Sequence, residues 1–196
     1  MAEDIKFSGK GYYEYPTGGE YEGEFVDGKQ DGFGTMTFSN HDFYEGDWKN
    51  GKMEGYGEYH HYEPSKDRFV AMYKGQFKNG VREGVGRMTY ANRNIYEGQW
   101  QNNMRTGRGA CWFTNGDCYH GLWQFDNMLR GIYHKANGDK YDGEFKDGKF
   151  EGYGKYYWAD GRWFEGTFKN GKPWTGIILY PESRGKISEY KDGVQH

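Results

Sequence analysis

Tyr21, Gly23 and Phe25 alternate with Glu22, Glu24 and Val26. Such a period of two predicts a half-buried β-strand with its rings on one face. The pattern returns at Tyr44-Gly46-Trp48, Tyr73-Gly75-Phe77, Tyr96-Gly98-Trp100, Tyr119-Gly121-Trp123, Tyr141-Gly143-Phe145 and Phe164-Gly166-Phe168. Successive leading aromatics are 23, 29, 23, 23, 22 and 23 residues apart, so the chain is an internal repeat. A second alternating stretch closes each repeat. It carries paired glycines, Gly32/Gly34, Gly55/Gly57, Gly84/Gly86, Gly107/Gly109 and Gly152/Gly154, followed mostly by apolar side chains. Between the halves lie Asp27-Gly28, Asn50-Gly51, Asn79-Gly80, Asp147-Gly148 and Asn170-Gly171, dipeptides that accept positive φ in tight turns. Second turns fall at Asn115-Gly116, Asn137-Gly138 and Asp160-Gly161. Each repeat therefore reads as a β-hairpin, and the hairpins continue as an antiparallel meander. No segment has a period of 3.6, which predicts no helix longer than a turn.

Three parts follow: residues 1–20, a tail and half repeat; residues 21–176, seven repeats; residues 177–196, capping strands. The second repeat carries six extra residues within 60–72, read as a longer hairpin loop or as a projecting partner contact. The fifth is one residue short and keeps only Gly131 of its glycine pair; the seventh keeps only Gly176. Glycine inside a strand weakens it. Its return in every repeat predicts a close approach to the backbone there, with the rings of a neighbouring repeat as the expected cause.

The segments YEGEFVDGKQDGFGTMTFSN (Tyr21–Asn40) and YDGEFKDGKFEGYGKYYWADG (Tyr141–Gly161) resemble the MORN (membrane occupation and recognition nexus) repeat, and the likeness extends from Phe7 to Gly193. The resemblance implies an all-β fold, an elongated single-layer twisted antiparallel meander of repeated hairpins with a grooved face. It also implies binding and scaffolding, often in cytoskeletal, ciliary or membrane-contact assemblies.

Composition narrows the function. Of 196 residues, 20% are aromatic and 33 are glycine, so the core is built of rings over glycines. A net charge of −3 argues against a nucleic-acid partner. No apolar stretch approaches the roughly 18 residues of a membrane span. Residues 1–10 hold no signal-peptide apolar region, and the chain reads as cytoplasmic, with cytoskeleton or cilium added by the resemblance. Cys111 and Cys118 read as apolar thiols, and none of the six histidines has metal-ligand spacing. Carboxylate pairs such as Glu22/Glu24 lie on an exposed strand face, and no nucleophile motif is present. The reading is a non-catalytic scaffold without a cofactor.

Three surfaces are candidates. Tyr73, Phe77, Tyr96, Trp100, Tyr119 and Trp123 could line a groove for an amphipathic helix, unless these rings only pack on each other. Met104, Leu122, Phe125, Met128 and Leu129 interrupt a face that otherwise carries charges, and are expected to form a protein-binding patch. Lys29, Lys49, Lys52, Lys78, Lys146, Lys149, Lys169 and Lys172 form a lysine stripe beside acids. The stripe underlies the alternative reading, a peripheral membrane or phosphoinositide binder. Open sheet edges leave room for a homodimer.

Overall fold

Alternation along the sequence becomes antiparallel strands along the structure. The computed structural model describes residues 7–180 and 187–196, in two bodies divided between Met104 and Arg105, inside the fourth repeat. The N-terminal body holds β1 (Gly9–Glu14), β2 (Gly19–Val26), β3 (Lys29–Phe38), β4 (Phe43–Lys49), β5 (Lys52–Glu63), β6 (Arg68–Lys78), β7 (Val81–Thr89) and β8 (Ile95–Gln101). Each pairs antiparallel with the next. The C-terminal body repeats the scheme with β9 (Met104–Trp112), all but its first residue, β10 (Cys118–Gln124), β11 (Asn127–His134), β12 (Lys140–Lys146), β13 (Lys149–Tyr157), β14 (Trp163–Lys169), β15 (Lys172–Leu179), β16 (Ile187–Lys191) and β17 (Val194–Gln195). Among the described residues the single helical element is a 3-10 turn, Pro64–Lys66, at the tip of the long β5–β6 hairpin that takes up the second repeat's extra residues. Of the C-terminal cap, residues 181–186 lie outside the described residues, and Ile177 belongs to β15 of the seventh repeat.

Tight turns set the hairpins. Asp27 and Gly28 have φ of 50° and 75°, and Asn50-Gly51, Asn79-Gly80, Asp147-Gly148 and Asn170-Gly171 match them. Positive φ at both central residues is the type I′ turn, whose twist suits flanking strands. The strands do not stay in simple register. Between Gly23 and Phe25 lies only Glu24, whereas between their partners Gly34 and Gln30 lie Asp31, Gly32 and Phe33. This bulge recurs in the next repeats and bends each hairpin at its glycines. The first glycine of each pair has positive φ, as at Gly55 (66°). The third-position glycines face a partner glycine across the strands, Gly23 to Gly34 and Gly46 to Gly57.

A tyrosine ring lies on the facing glycines of five repeats. The ring belongs to the same repeat, which corrects the expectation of a neighbouring one: a Cβ on Gly46 would stand 2.6 Å from Tyr44 Oη and 2.5 Å from Gly57 Cα. Tyr44 Oη donates to the Asp47 carbonyl at 2.9 Å, across the bend. The tyrosines of five other repeats repeat that bond. Phe164 fills the place in the seventh, without a hydroxyl. Burial pushes the Tyr21 hydroxyl up to about 12, so it stays a donor at neutral pH. Repeats then meet ring to ring. Tyr44 packs edge-on against Trp48 of its own repeat and Phe77 of the next, each at 5.2 Å, and Tyr73 likewise meets Phe77 and Trp100. Each such pair adds about 0.5–1.5 kcal/mol beyond burial.

Polar ties join the same neighbours. The Gly51 N–H donates to the Gln30 carbonyl, and the Asn50 N–H to the Asp31 carboxylate at 3.2 Å. Glu54, Glu83 and Glu151 accept the corresponding N–H of Asn79, Asn102 and Asn170. At the other end of the hairpins, Asp42 accepts from Tyr59 Oη and the Tyr62 N–H, both at 2.7 Å. Asp117 serves Tyr133 and Ala136, and Asp139 serves Tyr156 and Ala159. Burial alone would raise these three carboxyls; the hydrogen bonds outweigh it and hold them below the usual aspartate range.

Two outcomes are expected. Gly46→Ala, which drives a Cβ into backbone, should destabilise by about 2 kcal/mol or more in urea unfolding; Gly148→Ala, with open space at its turn but positive φ, should cost about 1 kcal/mol. The depressed Asp42, Asp117 and Asp139 stabilise the fold above the unfolded aspartate value of about 3.9, and that contribution is lost as pH falls through their lower folded values. Denaturant midpoints should hold from pH 7 to about 5 and fall below about 4, and Asp42→Asn, Asp117→Asn, Asp139→Asn together should flatten that acid limb.

Candidate interaction surface

The six candidate groove rings are the packed core itself. None of Tyr73, Phe77, Tyr96, Trp100, Tyr119 and Trp123 is more than 5% exposed. The reason is the bend at the glycines, which lets each hairpin close over its own tyrosine. What remains open on the ring side is shallower. In the N-terminal body Met53, Met88, Tyr59, His61 and Arg82 line a cavity of about 410 Å³, to which Tyr73 and Phe77 contribute. Arg82 stacks on Trp100 at 4.5 Å.

Leu122 and Met128 of the expected apolar patch lie on opposite faces of the sheet. Met104 is the last residue of the N-terminal body. Met128 is paired with the buried Trp123 and lines a ring-side cavity with Phe113, Tyr133 and Phe150. Leu122 points the opposite way from Trp123 and is 41% exposed. Alignment of the repeats explains the difference. Leu122 stands where Asp47 and Gln76 use a side-chain oxygen to accept a backbone N–H at their bulges. Leu129 stands where Asp31, Glu54, Glu83 and Glu151 hold the next turn. The fifth repeat thus carries leucine in two acceptor positions, and both are exposed.

Leu122 has company that the sequence reading missed. Its cross-strand partners are Arg108 on β9 and Arg130 on β11. His120 and Cys118 share its face of β10, opposite Ala110 and Ile132, and Trp112 and His134. Trp112 meets His120 edge-on at 5.8 Å, and His120 meets His134 at 6.3 Å. No carboxylate stands at these nine positions. The same face of β2–β4 carries Glu22, Glu24, Glu45 and Asp47. The signal was available in the alternation, because Arg108 and Arg130 fall in step with Leu122, but register was needed to place them side by side.

Phe125 is the other departure. It occupies the first central position of a type I′ turn with φ of 46°, followed by Asp126 at 66°, where five other repeats have Asp or Asn and then Gly and the fourth has Asn102-Asn103. It is also 58% exposed. A bulky residue in the left-handed region costs roughly 1–2 kcal/mol. Nothing buried compensates for it.

All eight lysines of the stripe are exposed. Lys49, Lys146 and Lys169 lie directly opposite Lys52, Lys149 and Lys172 across their turns. Like charges so placed are unfavourable. Lys49 pairs with Asp31 at 3.0 Å, and Lys169 lies over Trp174 at 4.4 Å. Cys111 is buried, which raises its thiol pKa, and Cys118 is half-buried on the opposite face. No helix among the described residues is long and apolar enough to cross a membrane.

A sequence model of the MORN repeat matches residues 3–20, 21–43, 44–62, 73–95, 96–118, 141–161 and 164–174. It takes in the N-terminal half repeat and passes over the fifth repeat, the one with the leucines and the strained turn. No curated protein matches the chain. Among solved structures, the chain is similar to the G-box domain of the microcephaly protein CPAP, whose structural analysis is said to suggest a role in centriole elongation; identity is 13%, coverage 96% of this chain and 97% of that one, and the TM-score 0.55. The TCP10 domain of Danio rerio CPAP matches at 13% identity over 94% and 85%, with a TM-score of 0.53. The Drosophila melanogaster SAS-4 (dCPAP) TCP domain, solved with a proline-rich motif of Ana2, matches at 12% identity over 93% and 90%, with a TM-score of 0.49. At these identities the likeness is one of fold.

If Phe125 is held in the left-handed region at a cost, Phe125→Asn should raise stability by about 1 kcal/mol, read as a higher Tm in thermal unfolding.

Proposed function

The chain belongs to the MORN repeat family, and on that premise we propose that it is a non-catalytic protein-binding scaffold of a cytoskeletal or ciliary assembly, docking a partner on the outer face of β9–β11. The observation that carries this reading is the exposed Leu122, set between two arginines on an otherwise charged kind of face. Exposed apolar breaks of this sort mark interaction sites more often than chance. The strained, exposed Phe125 supports it, since such strain persists where it serves a function. Asp47, Asp31 and Glu54 accept backbone N–H groups at bulges and turns. The cytoskeletal setting rests on the family and on the fold likeness to CPAP.

A second reading, docking to anionic lipid, is favoured by the opposed pairs Lys146/Lys149 and Lys169/Lys172, which repel each other in the absence of an anion.

Affinity purification of the tagged chain from its own cell lysate separates the two. The wild type should retain a protein that Leu122→Lys loses, while Tm changes by no more than about 1 °C, because an exposed substitution is nearly neutral for folding. Recovery of lipid in place of protein, with salt-sensitive co-sedimentation on phosphoinositide vesicles that Lys146→Glu and Lys169→Glu abolish, would transfer the site to the lysine stripe.

A further inference from the structure

We infer that the segment docking on the outer face of β9–β11 is acidic, with a carboxylate on either side of an apolar residue. The inference rests on the protein-binding reading and adds the chemistry of the partner. Arg108, Leu122 and Arg130 lie in one row across three adjacent strands. Strands are about 4.8 Å apart, so the outer two backbones of the row are about 10 Å apart.

Charge points the same way. No acid stands among the nine facing positions of β9, β10 and β11. On β12, Glu144 is opposite Arg130 and Asp142 opposite Ile132, yet no ion pair joins either acid to Arg130. The Glu144 carboxylate lies instead against Gly152 of its own repeat. Arg130 is exposed, and its fork of donors suits a carboxylate. Leu122 between the arginines accepts an apolar side chain, and the Trp112–His120–His134 cluster extends that apolar floor along the strands. Elsewhere on the N-terminal body the matching face carries Glu22, Glu24, Glu45 and Asp47, so the same acidic segment would be repelled there.

The test is selection of a phage-displayed random dodecapeptide library on the full chain, followed by affinity measurement of the enriched peptides on variants. Enriched peptides should carry Asp or Glu on both sides of an apolar residue. They should bind Arg108→Glu, Arg130→Glu at least tenfold more weakly than wild type, weaken on Leu122→Lys, and weaken with salt. Arg108→Gln, Arg130→Gln should lose affinity to a smaller degree with an unchanged Tm, which separates lost charge from lost folding. Enriched peptides without acids, held equally by the arginine variants and lost only by Leu122→Lys, would overturn the acidic chemistry and leave the docking face standing. Peptides indifferent to all three positions, or no enrichment, would overturn both. A concentration-dependent dimer in sedimentation, broken by the same arginine variants, would overturn the inference by making a second copy the occupant.

Discussion

A tyrosine ring lying flat on two facing glycines is the contact on which this fold depends. Aliphatic side chains are few, and no second layer is needed over the tyrosines, because each hairpin bends at its glycines and covers its own ring. Any side chain at Gly46 or Gly57 would occupy the space of Tyr44. The hydroxyl–carbonyl bond from Tyr44 to Asp47 holds the bend, and the ring edges meet the next repeat. Register, curvature and repeat-to-repeat cohesion thus follow from one contact. Stability in such an array is close to a sum of nearest-neighbour terms.

Much of this was legible in the residue pattern. The period of two gave the strands, and Asp-Gly and Asn-Gly gave the turns, since only positive φ fits a two-residue hairpin loop. The third-position glycine was recognised as a site of close approach, but the approaching ring was assigned to the wrong repeat. Simple alternation keeps Tyr21 and Gly23 on the same face at a distance; only the bulge at Gly32, with its positive φ, folds one over the other. Bulges have no clear pattern of their own in hydrophobic periodicity. The acids of the outer face looked like a solvated stripe, although Asp47 accepts a backbone N–H at its bulge and Asp31, beside its glycine pair, holds the next turn.

The docking face was half legible. Leu122 stood out because repeats can be compared with each other, and a leucine in a carboxylate's place is visible without any structure. Arg108 and Arg130 were invisible as its neighbours, because adjacency across strands depends on register, and the shortened fifth repeat changes that register for Arg130 by one residue. Met128 was misplaced because it pairs with Trp123, as Met53 pairs with Trp48, and so lies on the ring side.

The leucine at position 129 has a mechanical consequence. At the other joints described, the turn of one repeat is tied to the strand of the repeat before it, as Gly51 is to Gln30 and Gly171 is to Phe150. Among the described residues the Gly148 N–H has no such bond to Met128, and Leu129 offers no carboxylate to Asp147. Ring packing alone, Tyr119 on Phe145, carries the turn side of the joint between the fifth and sixth repeats. Among the described joints its turn side is held by the fewest polar ties, so local opening would begin there, beside the turn where Phe125 stands exposed.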